Sequence, residues 1–184
     1  AEGRIVIGYA GAVAYEPQCR ALMALVNRDE RFAFHFYGSG SAEAALRAYG
    51  EELGCSRIRF FGRYQAAEKG DIIQKTDILF NIYGNGSPLV DTALSNKLYD
   101  ALYYRKPLMT SPGTFMEEMG GELACSLDLR DPSALDRLWD WYQALDGARL
   151  DAFAAERYAA LAEEHRRTGK EIQRVLRRFS EKEA

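Results

Sequence analysis

IVIGYAGAVAYEPQCRALMALVNRDERFAFHFY, residues 5 to 37, changes its hydrophobic period twice. Ile5-Val6-Ile7-Gly8-Tyr9 is a continuous apolar run of strand length. Over 17–28 the period becomes helical, with Leu22, Leu25 and Val26 on one face. Phe32-Ala33-Phe34-His35-Phe36-Tyr37 returns to a run that is apolar on both sides. Strands of that kind are buried on both faces, as in parallel sheets covered by helices.

Outward from this β-α-β unit the alternation continues. A helix is predicted over 41–53, with Ser41 as its N-cap and Gly54 as its C-terminal stop. A third strand covers 57–61, a helix 66–74, a fourth strand 77–83 and a strong helix 92–104. Residues 107–111 form a fifth strand and 123–127 a short sixth. From Pro132 the pattern is all helix. One helix carries Leu135, Leu138, Trp139 and Tyr142, and another runs from 148 towards Phe179 with a break at Thr168-Gly169. Right-handed crossovers then give an α/β, Rossmann-like doubly wound parallel sheet of about six strands with C-terminal helices. The core spans about 4–130 and the helical segment about 132–180, within one domain of 184 residues.

Bulk properties exclude several classes. A formal charge of -3 lacks the basic excess of a nucleic-acid binder. No run approaches the ~18 apolar residues of a membrane span. The opening residues have no signal-peptide pattern, and the scattered cysteines lead to the expectation of a cytoplasmic chain. Cys19, Cys55 and Cys125 show no metal-ligand spacing, so reduced thiols and no metal are expected.

Ligands of open α/β sheets bind beyond the carboxyl ends of the strands. Here those ends carry Gly11, Gly38-Ser39-Gly40, Gly62 and Gly84-Asn85-Gly86. Each fits an ordinary strand-to-helix turn; four in succession also fit a ligand crevice. The first loop lacks the full G-x-G-x-x-G, and no acid ends the second strand, which argues against a nicotinamide dinucleotide. The segment Ala93-Leu94-Ser95-Asn96-Lys97-Leu98-Tyr99-Asp100-Ala101-Leu102 is more informative. Lys97 and Asp100 share a helical face. Two readings are open: an exposed i, i+3 ion pair, or a helix N-terminus and ammonium that hold a diphosphate while the carboxylate accepts from ribose hydroxyls.

With Lys106-Pro107-Leu108-Met109-Thr110-Ser111, this segment resembles the signature of GT-B glycosyltransferases of the "group 1" type, a K-x-x-E helix followed by a G-K/R-P-hydrophobic strand. The I-G-Y-x-G opening, F-x-F-Y-G-x-G, I-R-F-F-G-R and T-D-I-L-F-N follow in the family's order, so the likeness spans about 5–129. The resemblance implies a domain that binds a nucleoside diphosphate sugar donor, for transfer to a glycan, lipid-linked or polysaccharide acceptor. It implies that Gly11 lets the first loop approach the sugar diphosphate and that backbone around Gly62 and Arg63 receives the base. Ser95, Asn96 and Lys97 would hold the diphosphate, and Asp100 would replace the family's glutamate on the ribose. No cofactor beyond the donor substrate is implied, and no D-x-D motif is present. An N-terminal acceptor domain of the same polypeptide would complete the active site, and this half alone would be inactive.

The sequence departs from the family pattern at three places. Residues 10–16 contain neither the Arg nor the Lys that many members place after the first strand. Thr92 stands where the family's first acid is common, with Asp91 adjacent, and Asp100 is one methylene shorter than glutamate. No catalytic residue can be assigned. Glu117 and Glu118 fit either a donor-sugar approach or a solvated helix face. His35 reads as a packed or helix-facing histidine and His165 as a solvated one. Arg166, Lys170, Arg174 and Arg177 form a basic stripe that suits either solvent or a peripheral contact with anionic lipid. A nucleotide-sugar 2-epimerase-like enzyme and a non-catalytic binding module that kept the fold are the alternative functions.

Overall fold

The computed structural model describes residues 3–180, with side chains described to residue 174. Six strands, β1 (Ile5–Ala10), β2 (Phe32–Tyr37), β3 (Ile58–Gly62), β4 (Ile78–Asn81), β5 (Leu108–Thr110) and β6 (Ala124–Ser126), form one sheet. Its order is β3-β2-β1-β4-β5-β6 and every pairing is parallel. The order reverses direction between β1 and β4, which makes that junction the topological switch point of the sheet.

Helices cover both faces, as the apolar strands require. Ile5, Ile7 and Tyr9 of β1 and Phe32, Phe34 and Phe36 of β2 pack against α1 (Glu16–Arg28), α2 (Glu43–Leu53) and α7 (Ala134–Gln143). The opposite face buries Leu79 and Leu108 under α3 (Lys69–Gln74), α5 (Asn96–Tyr104) and α8 (Gly147–Ser180), which supplies Leu150, Ala154 and Leu161. Each fully buried side chain of this size contributes about 1.5–3 kcal/mol. Two short helices, α4 (Pro88–Asp91) and α6 (Phe115–Gly120), lie in the connections.

Most sequence-predicted boundaries agree within two residues; four features do not. Helix α2 begins at Glu43 with Ala42 at the N-cap, so Ser41 is not its cap. The chain there is held by the Ala42 N–H donating to the Val13 carbonyl at 3.1 Å, a tertiary bond with no local signal. The helix predicted from 92 is divided. α4 ends at Asp91 with Thr92 as its C-cap, the Thr92 hydroxyl donating to the Pro88 carbonyl at 2.6 Å, and α5 starts afresh at Asn96 after an extended Ser95. Helix α8 continues through Thr168 and Gly169 without a break, since one glycine costs a 34-residue helix only about 1 kcal/mol. His35 is half-buried, with its ring 5.3 Å from that of Phe61, itself 52% exposed, so it lies outside the fully buried core.

The three cysteines are free, and burial pushes the Cys19 and Cys125 thiols up to about 12. Such thiols remain protonated and unreactive near neutral pH.

Candidate functional site

The glycine-rich loops at the strand ends are laced together by their backbones. Gly11 N–H donates to the Tyr37 carbonyl at 2.9 Å, Val13 N–H to Ser39 at 3.1 Å, and Gly38 N–H to Gly62 at 2.7 Å. A Cβ on Gly38 or Gly40 would run into the backbone of Gly11 or Val13, so those two glycines serve loop packing. Gly11 differs. Its φ is 131°, and the only atom near a Cβ placed there is the Lys97 ammonium at 3.7 Å. It faces open space rather than another loop.

That space is a cleft of about 430 Å³ at the switch point, between the β1–α1 loop, the end of β4 and the start of α5. Gly11, Asn96, Lys97 and Asp100 line it together, with Tyr9, Tyr15, Tyr64, Lys69 and Tyr83. The Ser95 hydroxyl makes no capping bond; it donates to Asn81 Oδ1 at 2.7 Å. The first N–H groups of α5 have no intrahelical partner, so a partial positive charge borders the cleft beside Asn96 and Lys97.

Lys97 is buried, with 8% of its surface exposed. Its ammonium donates to the Tyr83 hydroxyl at 3.0 Å and lies 4.6 Å from the Tyr9 ring centroid and 5.3 Å from that of Tyr83. Among the described residues it has no carboxylate partner. Asp100 is paired instead with Lys69, from the start of α3, at 2.6 Å. The i, i+3 ion pair between Lys97 and Asp100 is therefore not formed. An unpaired ammonium held against two aromatic faces is suited to an incoming anion.

Tyr9 shapes the floor. Its ring is fully buried, and its hydroxyl donates to the Ala12 carbonyl at 2.7 Å and accepts from Ala14 N–H at 3.2 Å. Burial raises the pKa of this phenol far above its ordinary value, so it stays neutral.

No model of a protein family matches the chain. A curated relative, the probable glycosyltransferase WbjE of Pseudomonas aeruginosa, is 27% identical over 132 residues, covering 67% of this chain and 31% of the relative. Among solved structures, the lipopolysaccharide outer core galactosyltransferase WaaB superposes with a TM-score of 0.64 at 20% identity, over 85% of this chain and 46% of WaaB. HepE from Anabaena, solved in complex with UDP-glucose, gives 0.67 at 13% identity, over 91% of this chain and 49% of HepE.

This is the fold of a GT-B glycosyltransferase domain.

The chain spans about a third of the curated relative's length and just under half of each of these two solved GT-B enzymes. On this GT-B scaffold the residues expected at the site separate into two groups. Gly11, Asn96, Lys97 and Asp100 converge on one cleft. Gly62 and Arg63 lie beyond its lining: Gly62 turns the chain with φ 77°, Arg63 is exposed with Nε donating to Ser39 Oγ at 2.8 Å, and Tyr64 reaches the cleft next to them. Ser95 also lies outside the lining, with its hydroxyl donating to Asn81.

Asp91 and Glu117 hold loops. Asp91 accepts from Gly86 N–H at 2.9 Å, and Glu117 accepts from Gly113 N–H at 2.6 Å. Glu118 and His165 are exposed. Lys69, Tyr15 and Tyr83 went unread in the sequence. Each sits in or beside a connection with no motif of its own, and only the folded rim brings them within reach of α5.

Among the described residues no helix is long and apolar enough to cross a membrane, and no group of His, Cys, Asp or Glu is placed to hold a metal ion. Arg166, Lys170 and Arg174 are exposed on α8, with Arg166 paired to Glu163 at 2.6 Å; the side chain of Arg177 lies outside the described residues.

Proposed function

We propose that this chain is the donor-binding domain of a glycosyltransferase that takes its sugar from a nucleoside diphosphate. The observation that carries the reading is the convergence of the α5 N-terminus, the unpaired Lys97 ammonium and the Asp100 carboxylate on one cleft at the switch point of a GT-B fold. The α5 N–H groups and Lys97 would bind the diphosphate, and Asp100 would accept from ribose hydroxyls with the oxygen that Lys69 leaves open. Tyr64, which lines the cleft, would border the base, together with the Gly62 and Arg63 backbone. HepE, solved with UDP-glucose, supports a nucleotide-sugar ligand for this fold.

Transfer breaks the bond between the sugar's anomeric carbon and the diphosphate oxygen and forms one to an acceptor oxygen. The leaving diphosphate gains negative charge, and fixed N–H dipoles with an ammonium stabilise that charge without reorganising. The acceptor, a glycan or lipid-linked saccharide in polysaccharide assembly, would be brought by an N-terminal domain of the same polypeptide. The enzyme would work in the cytoplasm, with the basic face of α8 against anionic lipid.

Two observations favour a second reading, a non-catalytic module. Residues 10–16 hold no cation, and Asp100 already has a partner. Calorimetry with UDP, GDP, CMP and dTDP separates the two. Donor binding predicts heat with at least one nucleotide and its loss in Lys97→Ala. No heat with any of the four supports the module.

A further inference from the structure

Two tyrosines distant in sequence meet at the mouth of the cleft. The rings of Tyr15 and Tyr83 stack with centroids 4.2 Å apart and planes within 9°. Tyr15 is held in the left-handed region, φ 57° and ψ 50°, at the N-cap of α1, a conformation that a bulky side chain rarely adopts. It makes no side-chain capping bond there, and 39% of its surface is exposed. Neither helix capping nor core burial accounts for a tyrosine in strained backbone at this position. What the strained backbone achieves is to lay one ring flat on Tyr83, whose hydroxyl accepts from Lys97.

The chemistry of that hydrogen bond is directional. An ammonium can only donate, so the phenol oxygen of Tyr83 is the acceptor and its own hydrogen points away from Lys97. Accepting from a cation also polarises the phenol O–H and makes it a stronger donor. The pair therefore offers an arriving anion an N–H and an O–H side by side, in the stretch of rim where residues 10–16 supply no cation.

We infer that Tyr83 is a positioning residue for Lys97 and supplies a second hydrogen-bond donor to the donor's diphosphate, with Tyr15 holding the Tyr83 ring in place. This rests on the donor-site reading above. It adds to that reading by assigning to a neutral phenol part of the work that a basic residue in the first loop would do.

The test compares a nucleoside diphosphate with its nucleoside in the intact chain. Protein-observed NMR titrations measure UDP and uridine against wild type, Tyr83→Phe and Tyr15→Gly, with GDP and dTDP and their nucleosides run in parallel. Tyr83→Phe keeps the ring and should weaken diphosphate binding about tenfold while leaving the nucleoside within about twofold. Tyr15→Gly removes the ring but suits the backbone angle. It should keep or raise the melting temperature and still weaken the diphosphate selectively. This second variant keeps the test decisive if Tyr83→Phe fails to fold. The inference is overturned if diphosphate affinity is unchanged in the folded variants, or if diphosphate and nucleoside weaken together. Wild-type protein that binds none of the diphosphates overturns the donor-site reading itself, a result distinct from either.

Discussion

The carboxylate of Asp100 lies 2.6 Å from the ammonium of Lys69, while the ammonium of Lys97, three residues before it on the same helix, rests on Tyr83 and Tyr9. The helix thus presents its two charged side chains to the cleft separately. One is restrained by a cation from α3 and the other is held by aromatic rings. Separation matters because an internal Lys97–Asp100 pair would have neutralised both groups before a ligand arrived.

A consequence concerns the sugar of the nucleotide. If Asp100 accepts from ribose hydroxyls, UDP should bind more tightly than 2′-deoxy-UDP, and Asp100→Ala should abolish that preference. A hydrogen bond to a charged group supports a loss of about tenfold in UDP affinity. Titration of both nucleotides into wild type and variant checks this; a preference that survives the substitution would place the ribose elsewhere.

Lys97 is a case in which function and stability oppose each other. A buried ammonium without a carboxylate partner is costly to desolvate, so an apolar side chain of similar length should fit at least as well. Lys97→Met should leave unfolding free energy within about 1 kcal/mol of wild type or raise it. The same variant should lose detectable nucleoside diphosphate binding. Chemical denaturation and calorimetry on one preparation read both quantities.

Gly38 marks where loop packing leaves no room. With φ 128° and its open side against the Gly11 carbonyl, it admits no side chain without moving the first loop. Gly38→Ala should destabilise the domain by about 2–4 kcal/mol, the range expected of backbone strain combined with a steric clash. Equilibrium urea unfolding would show this as a lower midpoint; an unchanged midpoint would mean that the loops separate easily.

His35 gives a pH dependence. Burial first, then the Arg59 guanidinium, hold it below its ordinary value of 6.5. The fold favours the neutral ring, so the unfolded chain binds more protons in the interval between the two values. Stability contributed by neutral His35 is fully present above about 6.5 and is lost as pH falls through the lower folded value. Melting temperature should drop as pH falls below about 6.5, and His35→Gln should reduce that drop. An equal drop in the variant would assign the effect to other groups.

The sheet was legible because its central strands are buried on both faces, so a run such as Ile5–Ala10 carries no charged residue to blur its limits. The start of α5 was read four residues early. Hydrophobic spacing continues smoothly through 92–104, whereas the break at Ser95 depends on its hydroxyl reaching Asn81 in β4. Gly11, Asn96, Lys97 and Asp100 could be grouped in advance because strand ends and helix starts converge on one rim by topology. Lys69 and the Tyr15–Tyr83 stack could not. Their partners are 31 and 68 residues away in the chain, and no local period encodes a pairing made through the third dimension.

The most direct test of a diphosphate site at the α5 N-terminus is an amide-resolved NMR titration of the labelled chain with UDP, GDP and dTDP. The account predicts that the amides of Gly11, Asn96 and Lys97 move first and furthest with at least one of them. Movement confined to another part of the surface, or no movement with any of the three, would contradict it.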